Sequence, residues 1–142
     1  MVQQPKGFIR FFSALNRGWY QLTGGRIGST FHGVPVVLLT TKGRKTGKER
    51  TWPLLSIKQG DAFVFVGSNG GHHEHPGWYH NLVADPNVSV RARNRTIVGR
   101  ARVATGAERE QLYQQFVDVY DTYADYAKAT DREIPVVVVE AV

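Results

Sequence analysis

Apolar positions along this chain change their period several times, and each change marks an element. Phe8, Phe11, Phe12, Leu15, Trp19 and Leu22 recur three and four apart, while Arg10, Ser13, Asn16 and Arg17 fall largely elsewhere on the wheel. That spacing predicts an amphipathic helix over residues 6–23, ended by Gly24-Gly25 and followed by a glycine-rich connection from Arg26 to Gly33. Val36–Thr41 and Thr51–Ile57 are β-branched, apolar runs around a polar turn that Gly43 and Gly47 punctuate, which reads as strand, loop, strand. After a turn at Gly60-Asp61, Ala62–Gly67 is a short, wholly apolar strand, and Ser68-Asn69-Gly70-Gly71 opens a long polar loop. Pro76 starts a short helix whose apolar side is Trp78, Tyr79, Leu82 and Val83, and Asp85-Pro86 stops it. Val88–Ala92 alternates as a half-buried strand does, Asn94 marks a hairpin, and Thr96–Val103 is its return. Thr105-Gly-Ala-Glu108 has the form of a capping box, opening a long helix with a buried stripe of Leu112, Phe116, Val119 and Tyr123. Ile134–Val142 is a closing strand.

Most connections between these strands are too short for parallel crossovers, so the sheet is expected to be mainly antiparallel and the fold class α+β. About six strands in a chain of this size curl into a small barrel flanked by helices; the alternative is an open antiparallel sheet with helices on one face. The 142 residues make one domain, with no repeat and no linker.

Composition narrows the chemistry. The chain has no cysteine, which excludes thiolate metal sites and cysteine nucleophiles and fits a cytoplasmic location. No apolar run approaches the length of a membrane span, and the N-terminus lacks a signal-peptide pattern. A formal net charge of +6 favours anionic partners: nucleic acid, an acidic membrane surface, or a ligand rich in phosphate or carboxylate. The predicted N-terminal helix either docks on the domain's own core or rests on a membrane as a peripheral contact.

Charge gathers first in the hairpin turn, where Lys42, Arg44, Lys45, Lys48 and Arg50 lie close together. Backbone N–H groups freed at the glycines, together with these cations, would suit an anion; a solvated hairpin tip is the plainer alternative. A nucleotide-hydrolysing P-loop is excluded, because the spacing of Gly43 and Gly47 is wrong and a strand follows where a helix is required. A second basic cluster holds Arg91, Arg93, Arg95, Arg100 and Arg102. A nucleic-acid role finds no recognition helix or RNA-binding motif to support it. His72-His73-Glu74-His75 does not have metal-ligand spacing, since adjacent loop residues cannot all face one ion, and no metal is expected. Tyr120, Tyr123 and Tyr126 recur three apart at the end of the long helix; they either pack or use their hydroxyls to orient or protonate a planar substrate. No Ser/His/Asp triad is suggested, and a bound redox cofactor is the natural source of chemistry.

Taken together, TTKGRKTGKERTWPL, GSNGG, HPGWYHNLVADP and YDTYADY with TDREIPVVVVE resemble, in order, the deazaflavin-dependent nitroreductase family, common in actinobacteria. The resemblance runs from about Gly24 onward. It implies a split β-barrel of the FMN-binding, pyridoxine-phosphate-oxidase-like type. It also implies hydride transfer from reduced coenzyme F420 to a small electron-poor acceptor: a quinone, an enone or a nitroaromatic. FMN ranks behind F420 as cofactor, and the chain would be a monomer or a homodimer. By the same resemblance Arg44, Lys45, Thr46, Lys48 and Arg50 grip the coenzyme's phosphate and acidic tail. Trp52, Pro53 and Leu54 lie along its ring. Ser68, Asn69 and Gly71 form the loop by ring and substrate, with Ser68 among the catalytic candidates. Trp78, Tyr79 and Asn81 line the pocket from the following helix, and Tyr120, Tyr123 and Tyr126 are the substrate-side tyrosines. Asn69 stands where some members carry a lysine. A non-catalytic binder of F420, a flavin or a lipid on the same barrel is the rival reading.

Overall fold

A computed structural model describes residues 30–31 and 34–142, with side chains from Pro35 onward. The helix expected over 6–23 and its glycine end lie outside the described residues. The strands are β1 (Thr30–Phe31), β2 (Val34–Lys42), β3 (Glu49–Leu55), β4 (Ile57–Gln59), β5 (Ala62–Val66), β6 (Asn87–Ala92), β7 (Arg95–Val103) and β8 (Val136–Ala141). Among the described residues the helices are α1 (Gly77–Ala84), α2 (Gly106–Val119) and α3 (Thr122–Lys128), with a 3₁₀ turn at Asn69–Gly71. Every strand pair is antiparallel, in the order β1-β2-β6-β7-β8-β5-β4, and β3 also pairs with β2.

That order makes the sheet curl. β3 and β4 flank opposite ends of the run β2-β6-β7-β8-β5, yet Ser56 alone joins them. A flat seven-strand sheet would hold its edges roughly 29 Å apart, at about 4.8 Å per strand. One residue spans only about 7 Å. The single strand expected over Thr51–Ile57 is therefore a corner, where the chain leaves β2 and joins β5. Ser56 fits it: its N–H donates to Pro35 O at 3.0 Å and its hydroxyl to Val64 O at 3.0 Å.

Burial follows the pleat. Val37, Leu39, Phe63, Phe65, Val88, Val90, Val137 and Val139 pack with Trp78 and Leu82 of α1. Val64, Val66, Val136 and Val138 face the other way, against Leu112, Tyr113 and Phe116 of α2 and Tyr123 and Tyr126 of α3. β5 and the Val136–Val139 part of β8 are thus covered on both faces, which is why these stretches read as unbroken apolar runs. β6 buries Val88 and Val90 and leaves Ser89 and Arg91 less covered, as its alternation implies.

Several local expectations need correction. The long helix breaks at Tyr120, whose backbone is extended, so Tyr120 does not share a helix with Tyr123 and Tyr126. Val119 is exposed and does not belong to the buried stripe. On α1 the buried positions are Trp78, Asn81 and Leu82, while Val83 is 58% exposed. The capping box does not form. Thr105 makes no side-chain cap, and Glu108 instead takes a two-pronged bond from Arg102 at 2.7 and 3.0 Å. A charged fork outcompetes a neutral amide for the carboxylate. No helix among the described residues is long and apolar enough to cross a membrane.

Candidate active site

The β2–β3 turn, β3, the loop after β5 and the start of α1 enclose a cleft of about 610 Å³. Arg44, Lys45, Thr46 and Arg50 line it from the turn, Trp52, Pro53 and Leu54 from β3, and Ser68 and Asn69 from the loop. Trp78 and Asn81 of α1 and Tyr123 of α3 complete the predicted residues that reach it. Lys48, Gly71, Tyr79, Tyr120 and Tyr126 are not among its walls.

The turn is held by its own bonds and by α1. Gly43 N–H donates to Lys48 O and Gly47 N–H to Gly43 O, both at 2.7 Å. The glycine amides therefore close the turn and are not free for an anion, contrary to the expectation from sequence. Gly47, at φ +72, takes the left-handed backbone that glycine adopts without strain. What the turn offers an anion is its cations. Asn81 Oδ1 accepts from Arg44 N–H at 3.2 Å and from Arg44 Nη1 at 3.0 Å, and Asn81 Nδ2 donates to Thr41 Oγ1 at 3.1 Å. Lys45 and Arg50 form no ion pair among the described residues.

The loop after β5 is tied at several points. Asn69 has φ +49 and its Nδ2 donates to Glu74 O at 3.1 Å. Gly71, at φ +81, sits where an added Cβ would come within 3.1 Å of Ala129 and 3.5 Å of Tyr126. Its place under α3 explains the glycine, and Tyr126 supports the loop from behind. Tyr79 stacks on His75 with ring centroids 4.7 Å apart. Tyr123 lies edge-on to Tyr120, Tyr126 and Phe116. Burial, reinforced by the neighbouring tyrosines, pushes the Tyr123 hydroxyl well above its ordinary range, so it stays protonated.

Wall and support residues that the sequence did not assign to the site include Glu74, His75 and His80, which line the cleft, Arg132, which holds the loop, and Tyr113, whose hydroxyl donates to Tyr123 O. The second basic cluster is in part neutralised, because Arg102 bonds both Glu108 and Glu140.

The donor set fits a ligand with an anionic handle and a flat ring. Cations stand on the turn side, and Trp52, Pro53, Leu54 and Trp78 supply an apolar wall. The fold is the split β-barrel. It superposes on a pyridoxamine 5′-phosphate oxidase-like structure from Listeria innocua with a TM-score of 0.54 at 12% identity, over 75% of this chain and 82% of that one. The family model described as F420H(2)-dependent quinone reductase matches residues 14–141, and this chain belongs to that family of oxidoreductases, whose coenzyme is F420. An F420H(2)-dependent quinone reductase of Mycobacterium tuberculosis is 38% identical over 140 residues, covering 92% of this chain and 87% of that protein. A solved F420H2-dependent reductase is 42% identical with a TM-score of 0.70, over 75% of this chain and 94% of that one.

Proposed function

We propose that this chain passes a hydride from reduced F420 to a small electron-poor acceptor, a quinone first and enones or nitroaromatics by extension. One observation carries the reading: Arg44, Lys45 and Arg50 line a cleft whose apolar walls include Trp52, Pro53, Leu54 and Trp78. A phosphate with a carboxylate-rich tail suits the cations, and a flat ring suits the apolar side. When bound, the reduced coenzyme supplies the hydride.

The chain's own part is to bind, align and keep water out. Lys45 and Arg50 would hold the acidic handle, with Thr46 beside them and Lys48 adding charge from the outer side of the turn. Arg44, tied to Asn81, would keep the turn at a fixed distance from α1. Trp52, Pro53 and Leu54 would lie along the ring. Ser68 and Asn69 border the ring and acceptor, with Gly71, Tyr79 and Tyr126 behind them and Trp78 closing the inner wall. The protonated Tyr123 hydroxyl would orient the acceptor or give it a proton, with Tyr120 holding the Tyr123 ring edge-on.

The test is a fluorescence titration with F420, followed by turnover. Lys45→Ala and Arg50→Ala are each expected to raise the F420 Kd by about tenfold, the scale of one charge-assisted bond. Tyr123→Phe should leave Kd nearly unchanged and lower the rate. Reduced F420, and neither NADPH nor free flavin, should support menadione reduction. Tight F420 binding without turnover on any quinone or enone would leave a non-catalytic binder; no binding would remove the reading altogether.

A further inference from the structure

One guanidinium gathers the loop that borders the cleft. Arg132, between α3 and β8, donates from Nη2 to Gly67 O at 3.0 Å and to Ser68 O at 2.9 Å. Its Nε donates to His72 O at 3.0 Å, and its Nη1 lies 2.9 Å from His75 Nδ1. All four partners are uncharged acceptors between residues 67 and 75, some 57 to 65 positions upstream. A guanidinium can only donate, so His75 Nδ1 must accept. A neutral imidazole has one acceptor and one donor nitrogen, which places the proton on Nε2.

We propose that Arg132 is a positioning residue for the reductase reaction. It fixes the loop around Ser68 and Asn69, and it imposes the Nε2–H tautomer on His75, making that ring a neutral hydrogen-bond donor in the cleft wall. The kinetic part rests on the proposed reductase function; the loop and the tautomer do not.

The surroundings of His75 agree. Desolvation first, then the Arg132 charge and His80, hold its imidazole below the usual value, in favour of the neutral ring. The groups facing it are Arg132 from the α3–β8 connection and Tyr79 and His80 from α1, with Glu74 preceding it on its own loop. Protonation would set an N–H on Nδ1 against the Arg132 N–H and break that bond. The clamp is therefore expected to weaken in acid.

Three readouts test this. In wild-type protein at neutral pH, long-range nitrogen–proton NMR of the histidine rings, assigned with His75→Gln, should show His75 neutral with its proton on Nε2. A proton on Nδ1 overturns the proposal. Arg132→Met should speed amide exchange in the 67–75 segment by about tenfold, and Arg132→Lys by less, with β2 and β6 unchanged, as local opening does. Lysine should rescue only in part, since one ammonium cannot reach all four acceptors. Menadione kcat should fall by about tenfold in Arg132→Met and by less in Arg132→Lys, while F420 affinity stays within about threefold in both, the split expected of lost alignment. Unchanged loop exchange, or F420 affinity falling in step with kcat, overturns the proposal. If Arg132→Met does not fold, the lysine variant and the wild-type spectrum decide. If wild type binds F420 but reduces nothing, the reductase reading fails while exchange and tautomer still judge this one.

Discussion

Asn81 is a buried amide, 5% exposed, and each of its side-chain bonds joins parts of the chain far apart in sequence. It accepts twice from Arg44, 37 positions away, and donates to Thr41, 40 positions away. Replacing it by leucine keeps the bulk and strands the Arg44 N–H and the Thr41 hydroxyl. A buried polar group left without its partner costs about 1–3 kcal/mol. Asn81→Leu is therefore expected to lower stability in urea by that amount and to weaken F420 binding, because the cationic turn loses its fixed distance from α1. An unchanged F420 Kd in the folded variant would detach Asn81 from the site. At this scale the sequence displayed the cations of the turn, since charge and glycine spacing are local signals. It did not display what holds them. The partners of Arg44 and of Arg132 come from distant segments, and no periodicity records such a bond. The resemblance to a known family did bring Asn81 into view as a residue lining the pocket, but not its bond to Thr41.

Elements show where strand logic succeeds and where it is overridden. The unbroken apolar character of Ala62–Val66 and Val136–Val139 is explained by burial on both faces, and both runs were legible as strands. The break at Ser56 was not legible, because a corner strand keeps its apolar character while it changes partners. The break at Tyr120 hid for a similar reason: Phe116, Tyr123 and Tyr126 all join one buried cluster from two helices, so their spacing imitates one. Gly99 in β7 carries a further constraint. A Cβ there would meet Val139 Cγ1 at 2.6 Å and Glu140 O at 3.0 Å on the paired strand β8. Glycine inside a strand often marks such a close approach of backbones. Gly99→Ala is expected to destabilise by about 1–3 kcal/mol, the usual range for overpacking. Gly47→Ala is the control: its Cβ meets nothing within 4 Å, so only the left-handed backbone at φ +72 is penalised, about 1 kcal/mol. Urea unfolding of the pair should rank Gly99→Ala as the more damaging.

Across the whole molecule, protonation sets the limits within which the fold and the cleft persist. His75 has its folded pKa below the ordinary 6.5, so the unfolded chain binds a proton more readily. Stability tied to its neutral ring is present above pH 6.5 and is lost as pH falls through the lowered value. Glu108 is held below its usual 4.5 by the Arg102 bonds, and Asp85 below its usual 3.8 by bonds from Asn87. Their contributions are lost further into acid, after that of His75. The alkaline side has the opposite sign. Burial pushes the Tyr113 hydroxyl from 10.0 up to about 12 and raises Tyr123 and Tyr126 as well. A raised tyrosine favours folding below pH 10.0, and that contribution is lost as pH climbs through the folded value. Urea midpoints measured across pH should therefore form a plateau between these two windows, with an early acid shoulder near the histidine range. His75→Gln should remove the shoulder and leave the alkaline fall in place. A shoulder that survives this substitution would assign the acid loss to other groups and leave the Arg132 clamp without a proton-linked release.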